Sequence, residues 1–197
     1  MSTNIAPLLQ KLTPKAIGGV DAWVAPLTSA KEKLGEFQFK MFLAQGIHET
    51  LNLTKLEENL NYSSPERLVA IFPRCFKTVA DATPYIKNAK GLEKILYEGY
   101  KGRGLLHLTW KKSYRLFEDA SGVGCVSDPE LLLQPKHAVG SAVWFWETNG
   151  IGEKVSNAFK KNGSNDRQIF DLTTRAINGP AMMHAEERFR LYQEIDS

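Results

Sequence analysis

Apolar residues recur at helical spacing along most of the chain. Between positions 29 and about 50, Leu34, Phe37, Met41, Ala44 and His48 fall at steps of three and four, while Phe42, Leu43 and Ile47 widen the stripe. That width predicts a helix buried on most sides, with Glu49 near its C-terminal end. Ser64, Pro65 and Glu66 read as a helix start, serine as the cap and proline at the first helical position, leading into RLVAIF. Thr109 can cap a helix that carries Trp110, Tyr114 and Phe117 and ends near Gly122. SDPELL repeats the cap-and-proline pattern, and KHAVGSAVWFWETNG predicts a buried helix ending at Gly150, with Trp144 and Trp146 as core. Two more helices are expected over 166–177 and 183–195. Strand signals are confined to 53–62 and 105–108, so the pattern predicts a mainly α domain with at most a small sheet.

Composition narrows the picture only in part. The 197 residues, 43% hydrophobic and 24% charged, suffice for a good core, and neither a repeat nor a long linker divides them, so a single domain over 1–197 is expected. The net charge of +3 comes without a long basic run, which argues against a nucleic-acid partner. Cys75 and Cys125 are the two cysteines; buried free thiols are expected, not a disulfide framework or a cysteine-ligated metal site. MSTNIAPLLQKLTPK lacks a basic segment followed by an apolar core, and no stretch approaches the ~18 apolar residues of a membrane span. The expectation is synthesis in the cytoplasm without a signal peptide, and no membrane insertion.

Candidate chemistry begins at GIHETLNLTKLEENLNYS, where Glu49 and Glu58 stand nine positions apart. In one continuous helix they would be separated by about 13 Å along the axis and half a turn around it, pointing to opposite sides. If the helix stops near Thr50 and the chain folds back, both carboxylates can face one cleft. A solvated helix end explains the same residues. Further on, EGYKGRGLLHLTW sets Gly99, Gly102 and Gly104 around Arg103. Glycines at this density allow close backbone approach or positive φ, and Arg103 can pair with a carboxylate. The segment lacks the Gly-Lys-Ser/Thr ending of a phosphate-binding loop, which weakens a nucleotide reading.

Taken in order, FLAQGIHET, LEENLNYS, YKGRGLLHLTW, DPELL, AVWFW and TRAINGP resemble glycoside hydrolase family 19, the chitinase-like group that includes many phage endolysins, over roughly residues 42–188. The resemblance implies a lysozyme-like, two-lobed helical domain around a saccharide cleft, without a separate wall-binding module. It implies Glu49 as general acid and Glu58 as general base, in an inverting hydrolysis that requires no metal or other cofactor. The expected raised pKa of Glu49 would come from an apolar wall. Thr109 matches the residue that positions the nucleophilic water, although a helix cap explains it equally. Asn178 matches a cleft asparagine, although Asn-Gly is also a turn signal. Asn61 and Tyr62 are candidate sugar contacts, Arg103 a residue that orders the acidic site, and His107 a saccharide contact with pH sensitivity; His48 reads as structural.

Three departures from the family pattern stand out: Leu51 and Asn52 where endolysins carry two glycines, His107 where glutamine is usual, and INGP in place of INGG. The short interval between the glutamates is closer to endolysins than to plant chitinases. Peptidoglycan glycan strands are therefore the leading substrate, chitin oligosaccharides the second, and a non-catalytic saccharide-binding or phage structural role the third. A monomer is expected, acting on the cell wall after holin release or delivery by a secretion system, with an immunity protein as partner if it is an antibacterial effector.

Overall fold

The computed structural model describes residues 4–162 and 166–196, which are mainly helical and, among themselves, form no sheet. The helices are α1 (Ala6–Leu12), α2 (Asp21–Glu49), α3 (Pro65–Ile71), α4 (Val79–Ala82), α5 (Ala89–Tyr97), α6 (Lys111–Ser121), α7 (Pro135–Thr148), α8 (Ile151–Asn162), α9 (Asp166–Asn178) and α10 (Ala185–Asp196). Two short 3-10 turns, Thr83–Tyr85 and Pro129–Leu133, join them.

α2 is the axis of the larger lobe. It begins at Asp21, earlier than the stripe starting at position 29 predicts, and is two helical segments joined at Gly35, whose φ of 74° and ψ of 159° interrupt the helix. From Met41 to Ile47 every residue is buried, which is why the apolar stripe is too wide for a surface helix. α7 and α10 pack against it. Phe42 meets Trp146 edge-on at 5.6 Å, and the Trp146 indole N–H is satisfied by Gln38 Oε1 at 3.1 Å, so a large ring is buried without an orphaned donor. Trp146 is core as expected; Trp144 is half-buried on Phe117. A separate apolar cluster of Leu60, Leu68, Phe76, Ala82 and Leu92 organises a smaller lobe around α3 to α5. A third, including Tyr114, Phe117, Cys125 and Leu132, sits under α6.

Several local signals act as read. Ser64 Oγ accepts from Arg67 N–H at 3.2 Å at the start of α3, and Gly122 closes α6 in the left-handed conformation at φ 73°. Others do not. Thr109 is not the cap of α6: Trp110 holds that position at φ 75°, and the Thr109 hydroxyl instead donates to the His107 carbonyl at 2.7 Å. The strand signals yield only isolated bridges, Glu57 with Arg103 and Arg103 with Leu108. Cys125 is buried, its thiol pushed up to about 11 by burial and by nearby Glu118, but Cys75 is exposed, contrary to expectation.

Candidate active site

The placement of Glu49 follows from the abrupt end of α2. Thr50 Oγ1 donates to the Gly46 carbonyl at 2.7 Å and accepts from Leu53 N–H at 3.1 Å, while Asn52 N–H returns to the Ile47 carbonyl at 2.8 Å. Leu51, Asn52 and Leu53 then run at φ 48°, 60° and 60°, three consecutive left-handed residues. This is the place where the family pattern carries glycines, and the turn keeps the glycine-like backbone without them. Leu53, fully buried, anchors it. The chain reverses, and the segment that follows is pinned to the glycine loop: Gly104 N–H donates to the Leu56 carbonyl at 2.8 Å, and Glu58 N–H to the Gly102 carbonyl at 2.9 Å. Side chains would obstruct that approach. A Cβ on Gly104, which sits at φ +86°, would lie 2.9 Å from Ser141 Oγ, and one on Gly102 would lie 3.0 Å from His107 Cβ.

The two glutamates are held by different partners. Glu49 Oε1 is ion-paired with Arg188 Nη2, and Arg188 is itself buried and fixed by bonds to Gln45 Oε1 at 2.8 Å and the Met183 carbonyl at 3.2 Å. Gln45 is fixed in turn by donating to Thr173 and Thr174 hydroxyls at 2.9 and 2.8 Å. A polar chain running through the helix core thus backs Glu49, where the sequence suggests an apolar wall. Glu58 Oε1 accepts from the Tyr97 hydroxyl at 2.9 Å. Burial and the neighbouring Glu58 charge push the Tyr97 hydroxyl above the ordinary phenol range, so it stays a donor.

His107 connects the pair. Its Nδ1 lies 3.8 Å from Glu49 Oε2. Burial lowers its pKa, opposed by the fields of Glu49 and Glu58 and by the Lys55 backbone. The negative fields of both carboxylates reach this imidazole. His107 Nε2 is a buried nitrogen with no hydrogen-bond partner.

The remaining candidates divide. Asn61 lines, with Glu58, Asn59 and Lys101, a cavity of about 530 Å³ on the base side; Glu49, His107 and Thr109 lie outside its lining. Tyr62 is half-buried within the field of Glu58, its ring packed edge-on to Phe72 at 5.9 Å. Thr109 is held to His107 through the hydrogen bond already described, and Asn178 Oδ1 accepts from Met183 N–H at 2.6 Å, ordering the loop that leads to Arg188. Arg103 requires correction, both as a residue that orders the cleft glutamates and as a candidate substrate contact. It is 4% exposed, and its guanidinium pairs with Glu93 at 2.8 Å and Glu130 at 3.0 Å, not with either cleft glutamate. Burial alone works against its charge, but Tyr114 and Glu93 outweigh that and hold it protonated.

Sequence reasoning missed Arg188, Gln45, Tyr97 and Trp110. Arg188 had a readable signal, since it shares a helical stripe with the buried Tyr192 and Ile195. Gln45 likewise interrupts the buried run 41–47. Nothing local marks Tyr97. Trp110, 56% exposed, packs edge-on to Tyr97 with centroids 5.0 Å apart, an apolar surface beside the base.

No family model matches the chain. A Haemophilus influenzae protein described as glycosyl hydrolase family 19 domain-containing is 26% identical over 199 residues, covering 94% of this chain and 92% of its own length. Endochitinase CHI of Arabidopsis thaliana is 31% identical over 104 residues, 49% of this chain and 33% of its own. Chitinase 11 of Oryza sativa subsp. japonica is 44% identical over 91 residues, 41% of this chain and 35% of its own. The chain thus spans about a third of these plant relatives. Among solved structures, a bacterial family 19 chitinase superposes with a TM-score of 0.58 at 20% identity, over 98% of this chain and 94% of that one. Chitinase C from Streptomyces griseus HUT6037 does so at 0.58 and 21%, over 100% and 77%. Similarity along nearly the whole length of the Haemophilus protein, together with the mainly helical fold shared with the solved chitinases, makes the chain similar to glycoside hydrolase family 19 proteins.

Proposed function

We propose that the protein hydrolyses β-1,4 linkages of an N-acetylated glycan by an inverting mechanism, with Glu49 as acid and Glu58 as base. The observation that carries this reading is that each carboxylate is oriented by its own partner, Glu49 by Arg188 and Glu58 by Tyr97, with His107 Nδ1 3.8 Å from Glu49. Arg188 holds the Glu49 carboxyl in place, and the acid step requires Glu49 to carry a proton. Glu49 then gives that proton to the glycosidic oxygen, which leaves with the electron pair of the broken C1–O bond. A water on the opposite face forms the new bond to C1 and gives its proton to Glu58. Tyr97 occupies Oε1 of Glu58, leaving Oε2 for the water. Trp110 offers an apolar face for a sugar ring.

Peptidoglycan is the substrate we favour, supported by the nine-residue interval between acid and base. Chitin is the second reading, supported by the local similarity to plant chitinases. Action on the cell wall would follow holin release or delivery by a secretion system, and a holin or an immunity gene beside its own would separate the two. Incubating the purified protein with Gram-negative sacculi and with colloidal chitin tests the substrate. Release of muropeptides, abolished in Glu58→Gln, with little soluble chitooligosaccharide is expected; robust chitin turnover with intact sacculi would reverse the order.

A further inference from the structure

Beyond the cleft, three side chains with metal-ligand chemistry converge from three parts of the chain. His48 lies in the last turn of α2, His184 in the loop between α9 and α10, and Glu187 in the first turn of α10. Their ligand atoms all lie within 4.8 Å of one another, the one such group among the described residues. Glu187 Oε2 is the hub, 2.7 Å from His184 Nδ1 and 3.5 Å from His48 Nε2. The two imidazole rings are 5.6 Å apart between centroids. His184 reaches this position from a left-handed backbone, φ 60°, that a non-glycine residue rarely adopts.

We propose that His48, His184 and Glu187 form a binding site for a zinc-like divalent transition metal. Two imidazoles and one carboxylate are the donor set that zinc takes when a fourth position is left to water. Bonds of about 2.0–2.1 Å in tetrahedral geometry set neighbouring ligand atoms about 3.3 Å apart. The present spacings bracket that value, and small rotations of the outer two side chains, 53% and 59% exposed, would bring them to it. His48, with a side chain 19% exposed, is the fixed ligand. The hard cations calcium and magnesium prefer all-oxygen shells and do not suit the set. An ion here would tie the C-terminal end of α2 to the N-terminal end of α10. Those are the two helix ends that bring Glu49 and Arg188 together, so the site would brace their ion pair from outside the cleft. This inference does not depend on the hydrolytic reading.

The test uses untagged, chelator-treated protein, titrated calorimetrically with Zn²⁺ at neutral pH and melted with and without the ion. One Zn²⁺ per chain is expected, with a melting temperature raised by about 5–10 °C at a hundredfold excess over Kd. Mg²⁺ and Ca²⁺ should have no comparable effect. His184→Ala and Glu187→Gln should each weaken binding about tenfold or more while melting like the wild type in the absence of metal. His137→Ala, a histidine outside the group, should bind as the wild type does. If a variant fails to fold, the other still decides. Absence of stoichiometric Zn²⁺ binding in the wild type, or wild-type affinity in both variants, overturns the site.

Discussion

Glu49 and Glu58 are both half-buried carboxylates, yet one faces a guanidinium and the other a phenol, and that difference gives them separable roles. Glu49→Gln and Glu58→Gln keep size but remove proton transfer, so each should lower turnover by about 10²–10⁴-fold; Glu58→Gln should leave the melting temperature nearly unchanged, whereas Glu49→Gln strands the buried Arg188 charge and should lower it. Because groups acting as a unit are non-additive, the double variant should be scarcely slower than the poorer single one. Tyr97→Phe removes one hydrogen bond to a charged acceptor and should slow turnover by about tenfold while KM stays close to that of the wild type; unchanged kcat would make Tyr97 a packing residue. His107 supplies a pH effect. Its folded pKa is lowered, so the unfolded chain binds the proton more readily, and stability is lost as pH falls below about 6.5, down through the folded value. His107→Gln should remove that contribution, seen as a smaller fall in melting temperature between pH 7.5 and 5. The flanking motifs single out the glutamates as candidates from the sequence, but their pairing with Arg188 and Tyr97 is not written there, because each partner comes from far along the chain and no local spacing records a contact across 139 or 39 positions.

At the scale of the element, helix starts and stops written in caps and glycines were readable, whereas the path between them was not. Ser64 and Gly122 act locally, so the chain alone reveals them. The turn after Glu49 is different: Leu51 and Leu53, on either side of Asn52, take left-handed backbone that leucine rarely adopts, held by Thr50 and the burial of Leu53. Leu51 is 59% exposed and loses little packing when replaced, so Leu51→Gly should relieve strain and raise stability by up to about 1 kcal/mol, partly offset by the entropy glycine adds to the unfolded chain. A clear drop in melting temperature would show that the leucine side chain matters to the turn. The Arg103 network holds the glycine loop under the site. Removing it in Arg103→Ala strands the mostly buried Glu93 with Lys101 alone, 3.5 Å away, and should cost about 3 kcal/mol, a fall of about 6–12 °C in melting temperature. Arg103→Lys should recover only part of this, since a single ammonium cannot span Glu93 and Glu130 as the fork does.

Across the whole molecule, the larger lobe supplies Glu49 from α2 and Arg188 from α10, while Glu58 lies on the reversed segment that leads into the smaller lobe. The mainly helical class was legible because the apolar stripes are strong. The lobes were not, since Leu60, Leu68 and Leu92 read as ordinary helix or loop positions until they pack together. The central claim is that a water attacks from the face opposite Glu49, activated by Glu58. The most direct test is proton NMR of the first product on whichever glycan the protein cleaves, recorded before the reducing end mutarotates. The account requires cleavage of the β linkage to yield the α-anomer first; initial accumulation of the β-anomer would mean retention, and the acid–base assignment of Glu49 and Glu58 would be wrong.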